Sequence, residues 1–345
     1  MDRGAVAAPA PETAPLAAPP ATAAPAAAPS AASAPAPVVP APLVYEWEDK
    51  VVLHGHAAWV RSLALLPGGR LASGDVGGNV RLWDATRGGE ATAELEGHGG
   101  EVRALAVLLD GRRVAAGMSD GSGEVGAIMV WDTSVVPPVR CYTTDCGAGV
   151  EALAVLRDGR LAAGCSDDCV RLLGVGVGGA TATLEGHTSG VGALAELPDG
   201  TLASGSYDST VRLWDVGAAA CVATLEGHRY GIYALAVLTD GRLASGSSDR
   251  SVRLWDVATG ACAGVLEGHT DIVRALAALP DGRLASGSDD STIRVWDTRP
   301  TTAGGAAPVV LEGHTHKIMA LQPLPGGRLA SGSWDCTVRL WHLPS

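Results

Sequence analysis

Residues 187–215 read HTSGVGALAELPDGTLASGSYDSTVRLWD, and close variants of this stretch recur along the chain. In the regular part the copies are 41 to 42 residues apart. A period of this length indicates that one supersecondary unit repeats and buries its apolar face against its neighbours. Each copy opens at a Gly-His pair, whose histidines are His56, His98, His187, His228, His269 and His314. Each copy closes at a tryptophan: Trp83, Trp131, Trp214, Trp255, Trp296 and Trp341.

One repeat predicts four short strands. Residues 191–197 alternate apolar and small or polar side chains, and the Pro-Asp-Gly that follows is typical of a turn. Residues 202–206 and 211–215 predict a second and a third strand, separated by an Asp-Ser turn, and residues 221–226 predict a fourth. The pattern contains no long helical period, so the sequence predicts an all-β protein.

The Gly-His and Trp-Asp pairs at this period resemble the WD40 repeat family over some 290 residues. The resemblance implies a seven-bladed β-propeller of four-stranded antiparallel blades, the fourth strand lying outermost. A degenerate seventh unit fits between His98 and His187, with Cys146 in place of the histidine and Leu173-Gly174 in place of Trp-Asp. The last blade lacks a fourth strand, and an extra strand near residues 48–53 is expected to complete it and close the ring.

These observations divide the chain into two parts. Residues 1–42 are rich in Ala and Pro, lack a core, and are predicted to be disordered. Residues 43–345 are predicted to form the propeller. Its repeats are expected to end near Trp83, Trp131, Leu173, Trp214, Trp255, Trp296 and Trp341.

Composition restricts the partners and the compartment. The formal net charge is −12, and Lys50 and Lys317 are the only lysines, which argues against nucleic acid or an anionic membrane as ligand. No uninterrupted apolar run is long enough to span a membrane. The N-terminal segment is not a secretory signal, although a transit peptide stays an alternative with Arg3 as its one basic residue. An odd number of cysteines, 7, fits a reducing compartment, so we expect a cytoplasmic protein, with the nucleus as the alternative.

Four repeats carry a histidine, serine, aspartate and tryptophan at fixed offsets. The sets are His187, Ser204, Asp208 and Trp214; His228, Ser245, Asp249 and Trp255; His269, Ser286, Asp290 and Trp296; and His314, Ser331, Asp335 and Trp341. Ser, His and Asp together suggest a hydrolase. The WD40 resemblance instead implies a structural tetrad in which Trp donates to Ser, Ser to His and His to Asp. Because a catalytic triad is needed once whereas this set recurs in four repeats, we predict no catalytic residues.

The first three repeats depart from this set. Repeat 1 keeps His56, Ser73 and Trp83 but has Gly77 at the aspartate position. Repeat 2 has Ala116 at the serine position and about five extra residues, 121–125, after Asp120. Repeat 3 keeps only Asp167, with Cys146, Ala163 and Leu173 at the other positions. These departures predict that the first three blades are less stable than the others.

Repeat 3 also gathers Cys141, Cys146, Cys165 and Cys169. A zinc site is the alternative interpretation, but the C-x₄-C and C-x₃-C spacings differ from the usual C-x₂-C pair. Replacement by small residues in a degenerate blade explains the cysteines better. We therefore predict no metal and no cofactor.

In the WD40 family, partners usually bind the top face, which is the end of the ring that carries the residues just after Gly-His and just before the turn aspartate. The resemblance places these residues there: Trp59, Glu101, Tyr207, Arg229, Ile272, Asp289, Lys317 and Trp334. Trp59 and Trp334 lie outside the tetrads, on blades 1 and 7. Exposed tryptophan beside cationic side chains is typical of interaction hot spots, so this pair is the leading candidate for an interface, with packing between blades as the alternative.

The predicted function is a non-catalytic scaffold for unidentified protein partners, acting as a monomeric propeller within a larger complex. Two ubiquitin-system alternatives remain open. Trp296-Asp297-Thr298-Arg299 resembles the box of receptors for the cullin-4 ligase adaptor. The D-I-V-R-A-L-A phrase is similar to the ubiquitin-binding propeller of phospholipase-A2-activating proteins. An enzyme is a remote third alternative.

Overall fold

The structure is a computed structural model that describes residues 51–95, 99–176, 179–299 and 307–343, together with the backbone of 43–45. The described residues form seven separate sheets and one 3₁₀ turn, Pro67–Gly69. Every sheet contains four antiparallel strands, one sheet has a fifth strand in addition, and consecutive sheets pack side by side as the blades of one ring. The predicted seven-bladed β-propeller is therefore confirmed. Residues 1–42, for which disorder is predicted, lie outside the described residues.

The strands occupy equivalent places in each blade. The inner strands are Val60–Leu66, Glu101–Val107, Val150–Val155, Val191–Glu196, Ile232–Val237, Val273–Ala278 and Ile318–Leu324. The second strands are Arg70–Asp75, Arg113–Ser119, Leu161–Cys165, Leu202–Ser206, Leu243–Ser247, Arg283–Ser288 and Arg328–Ser333. The third strands are Val80–Asp84, Ala127–Asp132, Val170–Leu173, Val211–Asp215, Val252–Asp256, Ile293–Asp297 and Val338–His342. The outer strands are Ala93–Leu95, Val139–Asp145, Ala180–Leu184, Ala220–Leu225, Ala261–Leu266, Val309–Leu311 and Val51–Leu53.

The core lies between neighbouring blades. Glycine in the second strand lets the blades approach, because a Cβ added at Gly246 would lie 2.7 Å from Cγ1 of Val273 on the next inner strand. The same relationship joins the last blade to the first, where a Cβ at Gly332 would lie 2.7 Å from Cγ1 of Val60. Aliphatic residues of blades 7 and 1 accordingly share one buried cluster. Close packing between every pair of neighbours makes the ring a rigid support for its loops.

Closure of the ring follows the prediction. The strand Val51–Leu53 pairs antiparallel with Val338–His342, with Val51 opposite Leu340 and Leu53 opposite Val338. The guanidinium of Arg328 in blade 7 also donates to the carbonyl of Ala85 in blade 1 at 2.7 Å. The part of the predicted strand before residue 51 lies outside the described residues. Blade 7 is thus built from both ends of the propeller sequence, which leaves its third strand without a free edge.

Blade 6 has a fifth strand that the repeat pattern does not predict. The backbone of Leu43–Tyr45 pairs in parallel with the outer strand Val309–Leu311, with Leu43 opposite Val309. The pairing covers the outer edge of that sheet. In the described part of the chain, no helix is long and apolar enough to cross a membrane.

Candidate protein-interaction face

The tetrad of blade 4 is a continuous hydrogen-bonded chain. The indole N–H of Trp214 donates to Oγ of Ser204 at 2.7 Å, and Nε2 of His187 lies 2.7 Å from the same oxygen. Nδ1 of His187 lies 2.7 Å from Oδ2 of Asp208. The distances fit a neutral histidine that donates from Nδ1 and accepts the serine hydroxyl at Nε2. The network ties the second strand, the third strand and the turn between them to the Gly-His segment.

The tetrads of blades 5, 6 and 7 repeat this geometry. Their Trp–Ser and Ser–His distances are 2.6 to 2.7 Å, and their His–Asp distances are 2.7 to 2.8 Å. The serines have no exposed surface in any of these blades. Since each hydroxyl is already bonded to both an indole and an imidazole, it cannot meet a substrate as a nucleophile. The geometry therefore favours the structural interpretation of the Ser-His-Asp sets.

The tetrad aspartate also holds the turn that follows it. In blade 4, Oδ1 of Asp208 accepts from the backbone N–H of Thr210 at 2.9 Å and from its hydroxyl at 2.7 Å. These bonds support Ser209, whose φ of 73° is unfavourable for a residue other than glycine. Burial raises the pKa of the Asp208 carboxyl, but the hydrogen bonds from Thr210, Thr188 and His187 outweigh burial and hold the pKa below its ordinary value.

Blade 1 has a complete network, contrary to the expectation drawn from Gly77. Nδ1 of His56 lies 2.6 Å from Oδ2 of Asp75, which comes from the end of the second strand rather than from the turn. Both side chains are fully buried. Asn79 completes the arrangement by donating its backbone N–H and its amide to the same carboxylate. The repeat alignment missed Asp75 because it lies two residues before the position that the other repeats use.

Blades 2 and 3 differ from the rest. His98 of blade 2 lies outside the described residues. The extra residues after Asp120 form a loop in which the carboxylate of Asp120 accepts from the N–H and hydroxyl of Ser122. In blade 3, Cys146 lies in the core beside Cys165, and the hydrogen bond between these thiols, together with burial, raises the pKa of Cys146. Arg171 pairs with Asp167 instead of a histidine.

The four cysteines of repeat 3 do not converge. Cys141 is exposed on an outer strand, Cys146 and Cys165 are buried in the core, and Cys169 is partly exposed. Among the described residues, no three or more His, Cys, Asp or Glu side chains lie together as a metal site would require.

Trp59 and Trp334 form one stacked pair at the junction of blades 1 and 7. Their ring centroids are 4.0 Å apart and their planes differ by 10°. Trp59 is 43% exposed, an unusual exposure for so large a side chain. The indole N–H of Trp334 has no acceptor among the described residues, whereas the tetrad tryptophans donate to serine. Ring closure therefore produces an aromatic patch that no tetrad uses. We call these two residues the tryptophan pair.

From the tryptophan pair, a chain of polar and aromatic contacts runs around the top of the central cavity. Nζ of Lys317 lies 4.8 Å from the centroid of Trp334 and donates to Asp289 at 2.8 Å. Arg274 makes two bonds of 3.0 Å to the same carboxylate and lies over the ring of Tyr233 at 4.3 Å.

The chain of contacts continues through the opposite blades. Tyr233 packs against Tyr207 with centroids 4.8 Å apart, and the hydroxyl of Tyr207 donates to Glu151 at 3.4 Å. Arg103 bonds both Glu151 and Glu101, the latter at 2.9 Å. Arg61 of blade 1 lies 3.6 Å from Glu101, so the contacts end on the blade that carries Trp59. We call this set the mouth ring: Arg61, Glu101, Arg103, Glu151, Tyr207, Tyr233, Arg274, Asp289 and Lys317.

A repeated β-bulge explains why five side chains of the mouth ring, those at the bulged positions, project toward the mouth of the propeller. The register of every inner strand shifts at its second or third residue, and the bulged residue is left unpaired. The bulged residues are Arg61, Arg103, Glu151, Gly192, Tyr233, Arg274 and Met319. Four of them, Gly192, Tyr233, Arg274 and Met319, line a central cavity of about 200 Å³ to which all seven inner strands contribute. At Gly192 the missing side chain makes room for Tyr207, because a Cβ there would lie 2.7 Å from the Tyr207 ring.

Sequence reasoning missed five members of the mouth ring: Arg61, Arg103, Glu151, Tyr233 and Arg274. The available signal was the variable residue in the repeated Val-x-Ala-Leu phrase of the inner strands. The alternation of side chains along a single strand does not distinguish that position from its neighbours. The bulge that exposes it arises where two strands pair, so the sequence of one strand does not show it.

The predicted top-face residues separate into different environments. Glu101, Tyr207, Asp289 and Lys317 belong to the mouth ring. The Asp289 side chain is only 1% exposed, so a partner meets it only through Arg274 and Lys317. Ile272 reaches the ring through its carbonyl, which accepts the Asp289 N–H at 2.9 Å. Arg229 lines a separate groove of about 560 Å³ between blades 5 and 6 with the exposed Tyr230.

The predicted ligase-adaptor box divides between core and surface. Trp296 is buried as the tetrad tryptophan of blade 6. Arg299 is 67% exposed and donates to both oxygens of Asp297, at 2.8 and 2.6 Å. These bonds lower the pKa of Asp297 to about 2. The arrangement presents a fixed guanidinium at the surface.

Comparison with known proteins identifies the family. The model of the WD40 family, described as WD domain, G-beta repeat, matches residues 47–84, 89–123, 178–215, 219–256, 260–297 and 307–342. The chain belongs to the WD40 family. Residues 124–177, which hold the third and outer strands of blade 2 and the first three strands of blade 3, lie between two matched segments.

Two further similarities agree with the WD40 assignment. The crystal structure of the WD40 β-propeller domain of Doa1 has a TM-score of 0.72 and 24% identity, covering 84% of this chain and 94% of that one. Its similarity is one of fold. A segment of 105 residues is 35% identical to the probable cytosolic iron-sulfur protein assembly protein 1 of Chaetomium globosum. That match covers 27% of this chain and spans 23% of the length of that relative.

Proposed function

We propose that this WD40 propeller is a non-catalytic scaffold that binds a protein partner on the face carrying the tryptophan pair. The observation that carries the proposal is the stack of Trp59 on Trp334, which leaves Trp59 43% exposed on a rigid ring. A preformed aromatic patch gains affinity because little conformational freedom is lost on binding. Nζ of Lys317 lies 4.8 Å from the centroid of Trp334, and this cation–π contact helps to hold the indole in place.

The absence of catalysis is part of the same proposal. The repeated Ser-His-Asp sets are fully engaged in holding strands together, and their serines are inaccessible. The cytoplasm is the proposed location, which agrees with the word cytosolic in the name of the Chaetomium globosum relative. The assembly role in that name is not transferred to this chain, because the match covers only 27% of it.

The proposal is tested by affinity purification from the native cell with the intact chain, Trp59→Ala, Trp334→Ala and a matched control. Tyr230→Ala is the control, because Tyr230 is 63% exposed and lines the groove between blades 5 and 6. A partner retained by the intact chain and the control but lost from both tryptophan variants supports the proposal. Equal recovery with all four proteins contradicts it.

A ubiquitin-ligase receptor is a second candidate function. The observation that favours it is Arg299, which is exposed and held by Asp297 directly after the third strand of blade 6. Such a guanidinium suits recognition by a ligase adaptor, as the resemblance of the box implies. The ubiquitin-binding alternative has no comparable observation in its favour.

A further inference from the structure

The mouth ring carries more positive than negative groups, although the whole chain has a formal net charge of −12. Its cations are Arg61, Arg103, Arg274 and Lys317, and its anions are Glu101, Glu151 and Asp289. The most buried carboxylates, Glu151 and Asp289, are 5% and 1% exposed. The cations are 16 to 29% exposed. A molecule approaching the mouth therefore meets mainly cationic groups.

Arg61 is the least compensated of these cations. Within the described residues it has one carboxylate within ion-pair distance, Glu101 at 3.6 Å, and Glu101 also accepts a shorter bond from Arg103 at 2.9 Å. The other cations each have a carboxylate within 3.0 Å. Burial, and after it the neighbouring Arg103, lower the pKa of Arg61, and the opposing effects of Glu151 and Glu101 only partly offset them.

Arg61 also lies next to the tryptophan pair in the sequence and in space. Trp59 and Arg61 flank Val60, which has no exposed surface. Since successive side chains of a strand point to opposite faces, Trp59 and Arg61 both face away from the core. Two residues of extended chain span about 7 Å. An extended peptide segment can therefore place one side chain against Trp59 and the side chain two residues away at Arg61, because residues i and i+2 lie on the same face.

We propose that the mouth of the propeller receives an aspartate or glutamate side chain of a protein partner, with its carboxylate on Arg61 and a neighbouring large apolar side chain against Trp59. The carboxylate supplies the negative charge that the mouth ring lacks, and the guanidinium offers it two parallel N–H donors. This inference rests on the proposed function, since it names the chemistry of the partner at the same face.

The test pans a displayed library of random peptides on the intact chain, and measures the affinity of the enriched peptides for Arg61→Gln, Trp59→Ala and Arg157→Gln. Arg157 is the matched control, because it is an arginine 62% exposed outside the mouth ring. We expect peptides with an acidic residue two positions from a large apolar one. Their affinity should fall about tenfold or more with Arg61→Gln and stay unchanged with Arg157→Gln.

A peptide with its acidic residue changed to the amide should bind the intact chain and Arg61→Gln equally, which isolates the pair from any change in folding. Enrichment of basic or neutral peptides, acidic peptides that bind Arg61→Gln as well as the intact chain, or no enrichment at all would overturn the inference. Peptides that depend on Trp59 but not on Arg61 overturn this inference alone. Peptides that depend on neither residue also count against the proposed function.

Discussion

Nδ1 of His56 lies 2.6 Å from Oδ2 of Asp75, so the blade that looks incomplete in sequence has the same buried histidine–carboxylate pair as the regular blades. We therefore expect His56→Ala to destabilise the protein as much as His228→Ala. Each variant removes the imidazole that bonds both the buried serine hydroxyl and the tetrad carboxylate, at a cost of roughly 1–3 kcal/mol of unfolding free energy.

Cys146→Ala is the matched comparison from blade 3, where Cys146 occupies the histidine position without a serine or a tryptophan partner. It should cost clearly less than His56→Ala, as measured by chemical denaturation. A His56→Ala variant as stable as the parent chain would show that Asp75 does not replace the turn carboxylate. Equal losses at His56 and Cys146 would show that blade 3 has an equivalent network.

Stability should fall as the solution becomes acidic. Burial lowers the pKa of His314, so the unfolded chain binds this proton more readily than the folded chain does. The contribution of this histidine to the free energy of unfolding is complete above about pH 6.5 and declines below that value. Burial raises the pKa of Asp335, but its hydrogen bond from His314 outweighs burial and lowers it. Its contribution is present above about pH 4 and lost at lower pH.

The melting temperature should therefore fall as the pH is lowered from about 7.5 to about 5. His314→Gln should have a shallower decrease than the parent chain over this range. His54→Gln, which changes an exposed histidine, should keep the parent slope. A melting temperature that is constant or rises on acidification would contradict this interpretation of the tetrads.

Truncation tests the closure of the ring. A chain without residues 1–42 keeps every described strand and should melt at the temperature of the full chain. A chain without residues 1–54 also loses Leu43–Tyr45, which covers the edge of blade 6, and it loses Val51–Leu53 and leaves the edge of Val338–His342 unpaired. That edge should cause aggregation and a lower melting temperature, measured by size-exclusion chromatography and thermal unfolding. Equal stability of the two truncated chains would mean that closure depends little on this strand.

Arg299 tests the second candidate function. Among the described residues its side chain bonds Asp297 alone, and it is largely exposed, so Arg299→Ala should leave the melting temperature unchanged. If the ligase-adaptor contact exists, the same substitution should abolish co-purification of the cullin-4 adaptor. Adaptor recovery that survives Arg299→Ala, or never occurs with the parent chain, would eliminate this candidate.

The sequence was enough to predict the fold because the repeated residues have repeated structural roles. Trp214, Ser204 and His187 recur with their neighbours in four blades, and the period alone defines the ring. The closing strand was predictable because the last repeat lacks its outer strand. Asp75 was missed because the structure uses a carboxylate two residues away from the aligned position.

The face was only partly predictable. The offsets from Gly-His located Trp59 and Lys317, and ring closure placed Trp59 near Trp334. Arg61 and Arg274 were missed because their exposure at the mouth depends on a bulge in strand pairing, which no residue type signals. Three of the ion pairs at the mouth, Arg61–Glu101, Arg103–Glu151 and Lys317–Asp289, join residues of different blades, so they appear only once the ring is assembled.

The most direct test of the account is the affinity of the purified partner for Trp59→Ala and Trp334→Ala, measured together with their melting temperatures. Truncating an interface tryptophan typically costs about 2 kcal/mol or more of binding free energy, which is roughly thirtyfold in Kd. We predict that loss for both variants, with melting temperatures lowered by only a few degrees. Unchanged affinity with a large loss of stability would show that the pair serves packing between blades 7 and 1, and would contradict the account.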